Sequence, residues 1–198
     1  MGDREWQFVT PFCYMDKYTL PTSVEIDGTE CKFDSDFRNI LEIFKILNEP
    51  NLLEGERITI ALDLFYTDEN YKINVVEAIK MMFEFISQET EENSKSSYNK
   101  PLYDWEQDFN IIISPINRTL GYDVRSKDYV HWWTFLSAFM EIGECTFSTY
   151  VAIRDKLNHG KKLEKYEERL LKENGDKIRL KKKVDDTTQE LMNEIMGV

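Results

Sequence analysis

The chain has 198 residues, of which 13% are aromatic and 31% charged, a composition typical of a folded protein rather than a disordered one. Its net charge of −12 is the sum of −13 in residues 1–160 and +1 in residues 161–198, and an acidic surface repels phosphate groups, so a nucleic-acid partner is disfavoured. The sequence contains no run of about 18 apolar residues, so no membrane span is expected.

A β-hairpin is the first element that the sequence predicts. Two short runs, VEI at 24–26 and CKF at 31–33, alternate between apolar and polar residues on either side of Asp27-Gly28. A tight two-residue turn needs positive φ angles, which glycine adopts without penalty, so Asp-Gly between alternating runs indicates a hairpin.

Three amphipathic helices are predicted next, because apolar residues recur three and four positions apart. Asp34 or Ser35 is expected to cap the first helix. Arg38 lies beside its apolar face, which suits either a solvated or capping arginine or a buried ion pair. The apolar positions are Phe37, Ile40, Leu41, Phe44 and Leu47 in the first helix, Ile58, Ala61, Leu62, Phe65 and Tyr66 in the second, and Tyr71, Val75, Ile79, Met82, Phe83 and Ile86 in the third.

The methionines at 81 and 82 leave two interpretations of the third helix open. With Phe83 and Phe85 they could fill the core, or they could form an adaptable binding surface, because methionine suits irregular partners. The following stretch QETEENSKSSYNK, at 88–100, has no aliphatic residue and predicts a flexible linker.

A fourth helix is predicted to start at Asp104, with Gln107 in capping-box position, and to end at Gly121. Asp104 and Asp108 lie four residues apart on one face. This spacing would suit a divalent cation, but two carboxylates without further ligands are better explained by the positive end of the helix. No metal site is therefore predicted.

The fifth and sixth predicted helices carry the most aromatic part of the chain. Ser126 is expected to open the fifth helix, with His131 pointing away from its apolar face, and Thr146 is expected to start the sixth, which Gly160 ends. The apolar face of the fifth helix would comprise Tyr129, Trp132, Trp133, Leu136, Phe139 and Met140. A lone histidine without a positioned partner does not indicate acid–base catalysis.

These elements predict a mainly α protein, a helical bundle with one small amino-terminal β-hairpin. We divide the chain into a hairpin with helices at 1–87, the linker at 88–100, a helical anchor region at 101–160, and a charged helical tail at 161–198. In the tail, Asn174-Gly175 is expected to interrupt the helical pattern between two weakly amphipathic stretches.

Several motifs resemble the bacteriophage gene-product-fifteen family. YDxxxD begins at Tyr103, GYDV follows at 121–124, HWWxF begins at His131, and AIR ends at Arg154. The stretch LPTSVEIDGTECKFDSDFRNILEIF resembles the amino-terminal signature of that family, and the resemblance covers about residues 20–160. The family-motif residues, to which we give structural roles, are Phe37, Arg38, Tyr103, Asp104, Asp108, Asp123, His131, Trp132, Trp133, Phe135 and Arg154.

The resemblance implies a phage tail assembly chaperone, which would bind the tape measure protein and shield it during tail assembly. Arg154 would then pair with an acidic residue of the preceding helices, and a groove between aromatic-rich helices would cover apolar stripes of the tape measure protein. The tail tube protein and the chaperone product of the preceding gene are further expected partners, and self-association stays open.

The remaining function classes are weaker. The sequence has no glycine-rich phosphate loop, nucleophile elbow, HExxH motif or clustered metal ligands, so we expect no enzyme and no cofactor. The start MGDREWQFVTPF lacks the basic and apolar regions of a secretory signal, so the protein is expected in the host cytoplasm and absent from the mature virion. A structural tail component retained in the virion is the alternative.

Overall fold

The computed structural model describes residues 18–88 and 101–181, and most of the predicted linker and the tail beyond Lys181 lie outside these ranges. Within these ranges the fold is mainly α with a single hairpin, as the sequence predicts. The strands are β1 (Ser23–Ile26) and β2 (Thr29–Lys32), and the helices are α1 (Phe37–Leu47), α2 (Glu54–Phe65), α3 (Val75–Ser87), α4 (Trp105–Leu120), α5 (Trp132–Met140), α6 (Thr146–Asn158) and α7 (Lys165–Ile178).

The hairpin forms where the Asp-Gly turn predicts it. Ile26 pairs with Thr29, so Asp27 and Gly28 make a two-residue turn with φ angles of 47° and 77°. Positive φ at both positions is the conformation that follows the right-handed twist of the strands. Val24, Ile26 and Cys31 face the core, while the alternate side chains face solvent.

The start of α1 differs from the prediction. Asp36, rather than Asp34 or Ser35, is the cap, and its carboxylate accepts a hydrogen bond from the Arg38 backbone N–H at 2.9 Å. A short antiparallel bridge between Asp36 and His131 fixes this position. Since the bridge joins residues distant in sequence, local spacing could not reveal where the helix begins.

The core is aromatic and continuous across the two halves of the described chain. Phe37 of α1 stacks on Phe135 of α5 with ring centroids 4.4 Å apart, and Phe33 stacks on Phe65 at 4.7 Å. Trp132 is 1% exposed and contacts Trp105 edge to face. Stacked and edge-to-face pairs of this kind add to the stabilisation from burial alone.

The core also decides between the two interpretations of α3. Met81, Met82, Phe83 and Phe85 are all buried, so this helix fills the core and offers no methionine surface. Val75, which the spacing placed on the buried face, is instead 43% exposed. A short 3-10 helix, Glu69–Ile73, precedes α3, so Tyr71 belongs to a separate element rather than to α3.

The carboxyl-terminal helices bring one further correction and one agreement. Helix α5 begins at Trp132 and not at Ser126, which ends the short 3-10 helix Val124–Ser126, and Tyr129 lies 51% exposed before it. The break expected at Asn174-Gly175 is present as a kink in α7, where Asn174 has non-helical angles (φ −125°, ψ 25°). Among the described helices, none is long and apolar enough to cross a membrane.

Candidate functional site

Asp36 joins the starts of α1 and α5. Its carboxylate accepts hydrogen bonds from the Val130 backbone N–H at 2.9 Å and from the Arg38 guanidinium at 3.0 Å. Arg38 also donates to the carbonyls of Val124 and Lys127. Its side chain is 41% exposed, so Arg38 ties three segments together at the surface rather than forming a fully buried ion pair. We call Asp36, Arg38, Val130 and His131 the Asp36 junction.

His131 is a structural cap and is buried, with 3% of its surface exposed. Its Nδ1 accepts a hydrogen bond from the Trp133 backbone N–H at 3.0 Å, and its Nε2–H donates to the Pro21 carbonyl at 2.9 Å. Only the neutral imidazole with its proton on Nε2 makes both bonds. Burial lowers the pKa of His131 below its ordinary value of 6.5, which favours this neutral form.

The protein should become less stable as the pH is lowered, because of His131. The unfolded imidazole titrates near pH 6.5 and the folded one lower, so the unfolded state binds more protons between those values. The contribution of His131 is therefore complete above the unfolded pKa and is lost as the pH falls through the folded pKa, at up to about 1.4 kcal/mol per pH unit, the limit for one proton.

Urea unfolding at pH 7.5 and 5.5 measures this effect. The control is His131→Asn, because asparagine also caps helices but does not titrate. The wild type should lose more stability between the two pH values than the variant. Equal losses would show that His131 does not control this part of the pH dependence.

The paired tryptophans of HWWxF hold the end of α3. The indole N–H of Trp132 donates to the Ile86 carbonyl at 2.8 Å, and that of Trp133 donates to the Phe85 carbonyl at 2.9 Å. Both carbonyls lie in the last turn of α3. The motif therefore supplies two adjacent donors to a helix end formed 46 and 48 residues earlier, besides filling the core.

Arg154 joins α4, α6 and α7 and is 4% exposed. Its guanidinium binds the Asp108 carboxylate through two hydrogen bonds of 2.6 and 2.9 Å. It also donates to the carbonyls of Leu102, Lys177 and Ile178. Arginine has five N–H donors, so every one is used. We call Arg154 and Asp108 the Arg154 hub, and Asp108 is the acidic partner that the sequence predicts without identifying.

Residues around the Arg154 hub extend it to the start of α4. Asp104 caps α4 as predicted and donates its backbone N–H to Asp108 at 3.0 Å. Gln107 donates to the carbonyls of Lys177 and Arg179, and so holds the end of α7. Because Asp108 is taken up by Arg154, the alternative of a cation between the two aspartates has no support. No group of three or more candidate metal ligands occurs within 18–88 and 101–181.

A second ion pair joins α6 to α7. Lys156 reaches both carboxylate oxygens of the buried Glu167 at 2.8 Å. The hydrogen bond from Lys156 lowers the pKa of Glu167, which also accepts the Glu164 backbone N–H at 2.7 Å. Helix α7 is thus fixed at its start by Glu167 and at its end by Arg154.

Asp123 belongs to neither the Asp36 junction nor the Arg154 hub and lies in an exposed turn. Its carboxylate caps the 3-10 helix and pairs with Arg125 at 2.7 Å, and this arginine holds the pKa of Asp123 well below its usual range. The same turn supplies the Val124 carbonyl to Arg38. Tyr103 is 38% exposed and lies against the rings of Trp105 and Phe139, beside the Arg154 hub.

Four family-motif residues thus lie in the Asp36 junction or the Arg154 hub, while two important residues, Asp36 and Gln107, were not among the motif residues. Asp36 precedes Phe37-Arg38 directly, and an acidic residue before a helical run is a recognisable cap signal. Gln107 lies three residues after the cap Asp104, and the capping-box pattern gives no hint that its amide reaches α7. Its partners are the carbonyls of Lys177 and Arg179 and the N–H of Lys181, and such backbone groups carry no sequence signal.

The described structure defines a mainly helical domain whose motif residues join the ends of distant helices. The sequence model of the Bacteriophage Gp15 protein family matches residues 17–180, and the chain belongs to this family. The predicted resemblance is therefore confirmed, and it extends about twenty residues into the tail, beyond the limit expected at 160. No curated protein and no solved structure matches the chain.

Proposed function

We propose that this phage protein is a non-catalytic tail assembly chaperone that binds the tape measure protein and shields it in the host cytoplasm. Membership of the Bacteriophage Gp15 protein family is the observation that carries the proposal. A tape measure protein is a long helical chain whose apolar stripes would aggregate before the tail tube surrounds them. A folded, acidic partner that covers those stripes would keep the chain soluble.

The roles of the motif residues support the non-catalytic part of the proposal. All five N–H groups of Arg154 bind acceptors of the chain itself, and both ring nitrogens of His131 are engaged. A group that holds the fold together in this way has no free atom to offer a substrate. The polar residues that identify the family therefore serve its architecture.

The rings of the HWWxF motif serve the fold. Trp132 and Phe135 are buried, and the indole of Trp133 donates to the Phe85 carbonyl of α3. We therefore do not propose these three rings as the contact with the tape measure protein. The tail tube protein and the product of the preceding gene remain proposed as further partners of the complex.

Co-expression tests the proposal. The full chain would be produced together with the tape measure protein of the same phage, and the soluble tape measure protein and the stoichiometry of the purified complex would be measured. We expect the tape measure protein to stay soluble only when the chain is present. The chain should also be absent from purified virions by mass spectrometry.

Two outcomes would overturn the proposal. If the tape measure protein is equally soluble without the chain and no complex is recovered, the chain is not its chaperone. If the chain is found in mature particles at a fixed copy number, it is a structural tail component.

A further inference from the structure

Three aliphatic side chains are exposed where α3 begins. Ile73 is 60% exposed, Val75 43% and Val76 69%, although most aliphatic residues of the neighbouring helices are buried. Ile73 ends the 3-10 helix, and Val75 and Val76 are the first two residues of α3. We call these three residues the α3 corner. Exposed aliphatic side chains that adjoin one another are typical of interaction sites, whereas isolated ones are not.

The hairpin lies directly beside the α3 corner. The Asn74 side-chain amide donates to the Asp27 carboxylate at 2.9 Å, which holds the hairpin turn against the start of α3. The Asn70 amide donates to the Glu30 carbonyl at 3.1 Å, which holds β2 against the 3-10 helix. The exposed aliphatic side chains and the exposed charges of the hairpin therefore form one continuous part of the surface.

This part of the surface is strongly acidic. Its ionisable residues carry a net balance of −4, with two lysines against six acids, namely Glu25, Asp27, Glu30, Asp68, Glu69 and Glu77. Of the two lysines, Lys72 forms an ion pair with Glu69 at 2.9 Å, and Lys32 lies two residues from Glu30 on the outer face of β2.

Repulsion between Glu25 and Glu30 lowers the stability of the hairpin in the free protein. They are direct cross-strand partners and both are exposed. Like charges placed opposite each other on a sheet destabilise it, because their side chains lie close together. A cationic side chain placed between them would remove this repulsion. The Glu25–Glu30 pair therefore destabilises the free hairpin and would stabilise a complex with a basic partner.

We propose that the α3 corner and the outer face of the hairpin bind a basic amphipathic segment of the tape measure protein. Aliphatic side chains of the segment would cover Ile73 and Val76, and its lysine or arginine residues would lie at Glu25 and Glu30. This inference rests on the proposed function and identifies the surface that would perform it. A second copy of the chain is a poor occupant, because its corresponding surface has the same negative charge.

Two variants and one control test the surface in the co-expression assay. Ile73→Ser/Val76→Ser removes the exposed aliphatic side chains, and Glu30→Lys converts the like-charged pair into an opposite-charged one. Met140→Ser is the matched control, because Met140 is 73% exposed but lies at the end of α5. Far-UV circular dichroism and the thermal midpoint confirm that each variant folds.

The expected results separate binding from folding. Both variants should weaken binding of the tape measure protein roughly tenfold, about 1.4 kcal/mol, whereas Met140→Ser should not. Glu30→Lys should at the same time raise the thermal midpoint of the isolated chain, because it relieves the repulsion from Glu25. A residue with a purely structural role would not combine higher stability with weaker binding.

A peptide array identifies the segment. Overlapping 25-residue peptides of the tape measure protein would be tested against the wild-type chain, and the tightest should be basic and amphipathic, with binding that weakens as sodium chloride rises. Tightest binding by acidic peptides would overturn the inference, and so would a dimer of the free chain that Ile73→Ser/Val76→Ser dissociates.

The co-expression assay also distinguishes failure of this inference from failure of the chaperone proposal. If the wild type binds no tape measure protein, the proposed function fails. If the wild type and both variants bind equally well, or if Met140→Ser weakens binding as much as they do, the function stands and the α3 corner is not its site.

Discussion

Replacing Arg154 with methionine should lower the free energy of unfolding by about 3–5 kcal/mol, because the buried carboxylate of Asp108 then loses its partner. The variant also leaves the carbonyls of Lys177 and Ile178 without their donor at the end of α7. A loss of this size is a large part of the stability of about 5–15 kcal/mol that is usual for a domain.

The chemistry of the pair can be resolved with two further variants. Arg154→Lys keeps the charge but has three donors in place of five, so its loss should be intermediate. The double variant Arg154→Met/Asp108→Leu removes both charges, and it should lose less stability than the sum of its two single substitutions. Urea unfolding followed by far-UV circular dichroism at pH 7 measures all of them.

The exposed pair between Arg125 and Asp123 provides the control. Its distance of 2.7 Å is as short as those in the Arg154 hub, but its side chains are about half exposed. Solvent screens such pairs, so Arg125→Met should change stability little. If Arg154→Met changed stability as little as Arg125→Met, the Arg154 hub would not hold α4, α6 and α7 together.

Local chemistry made much of the fold predictable. The Asp27-Gly28 turn fixed the hairpin and its register, because few other residues adopt positive φ at both turn positions. Asp104 and Gly121 marked both ends of α4 correctly, since capping depends on residues within a turn of the helix end. The three-to-four spacing likewise placed the buried face of α2. In α1 it placed Phe37, Ile40 and Leu47 correctly but missed the fully buried Ile43.

The errors arose where distant segments set the structure. The start of α5 was expected at Ser126, but the bridge between Asp36 and His131 moves it to Trp132, with an imidazole as the cap. By contrast, the break expected at Asn174-Gly175 is present as a kink in α7, and Arg154 and Gln107 hold the residues that follow it. The sequence marked the position of the break but not the tertiary hydrogen bonds that offset its cost.

The contrast between local chemistry and contacts of distant segments applies also to the candidate site. The family-motif residues include Arg38 and His131 of the Asp36 junction and both residues of the Arg154 hub, but the motifs could not show what those residues bind. Many of the acceptors are backbone carbonyls, as with Ile86 for Trp132 and Leu102 for Arg154. Any residue type supplies such a carbonyl, so side-chain identity at the acceptor position contains no information about the contact.

Replacing Trp132 with alanine should lower the free energy of unfolding by about 3–5 kcal/mol, the usual cost of deleting a large buried ring. Trp132 is 1% exposed and contacts Phe135, Phe44 and Trp105. Trp132→Phe separates the two roles of the side chain, because phenylalanine keeps an aromatic ring but cannot donate to the Ile86 carbonyl. Leaving that carbonyl buried and unpaired should cost about 1–3 kcal/mol, apart from any change in packing.

Trp133→Phe is the matched comparison, because its indole donates to the adjacent Phe85 carbonyl from a half-buried position. Water can replace the lost donor more easily there, so this variant should lose less stability than Trp132→Phe. Unfolding should be followed by far-UV circular dichroism, since the substitutions alter tryptophan fluorescence. Hydrogen exchange at Ile86 to Gln88 should accelerate in both variants if the indoles secure the end of α3. Unchanged exchange there would mean that the two tryptophans act through ring packing alone, and that their N–H groups do not stabilise the helix end.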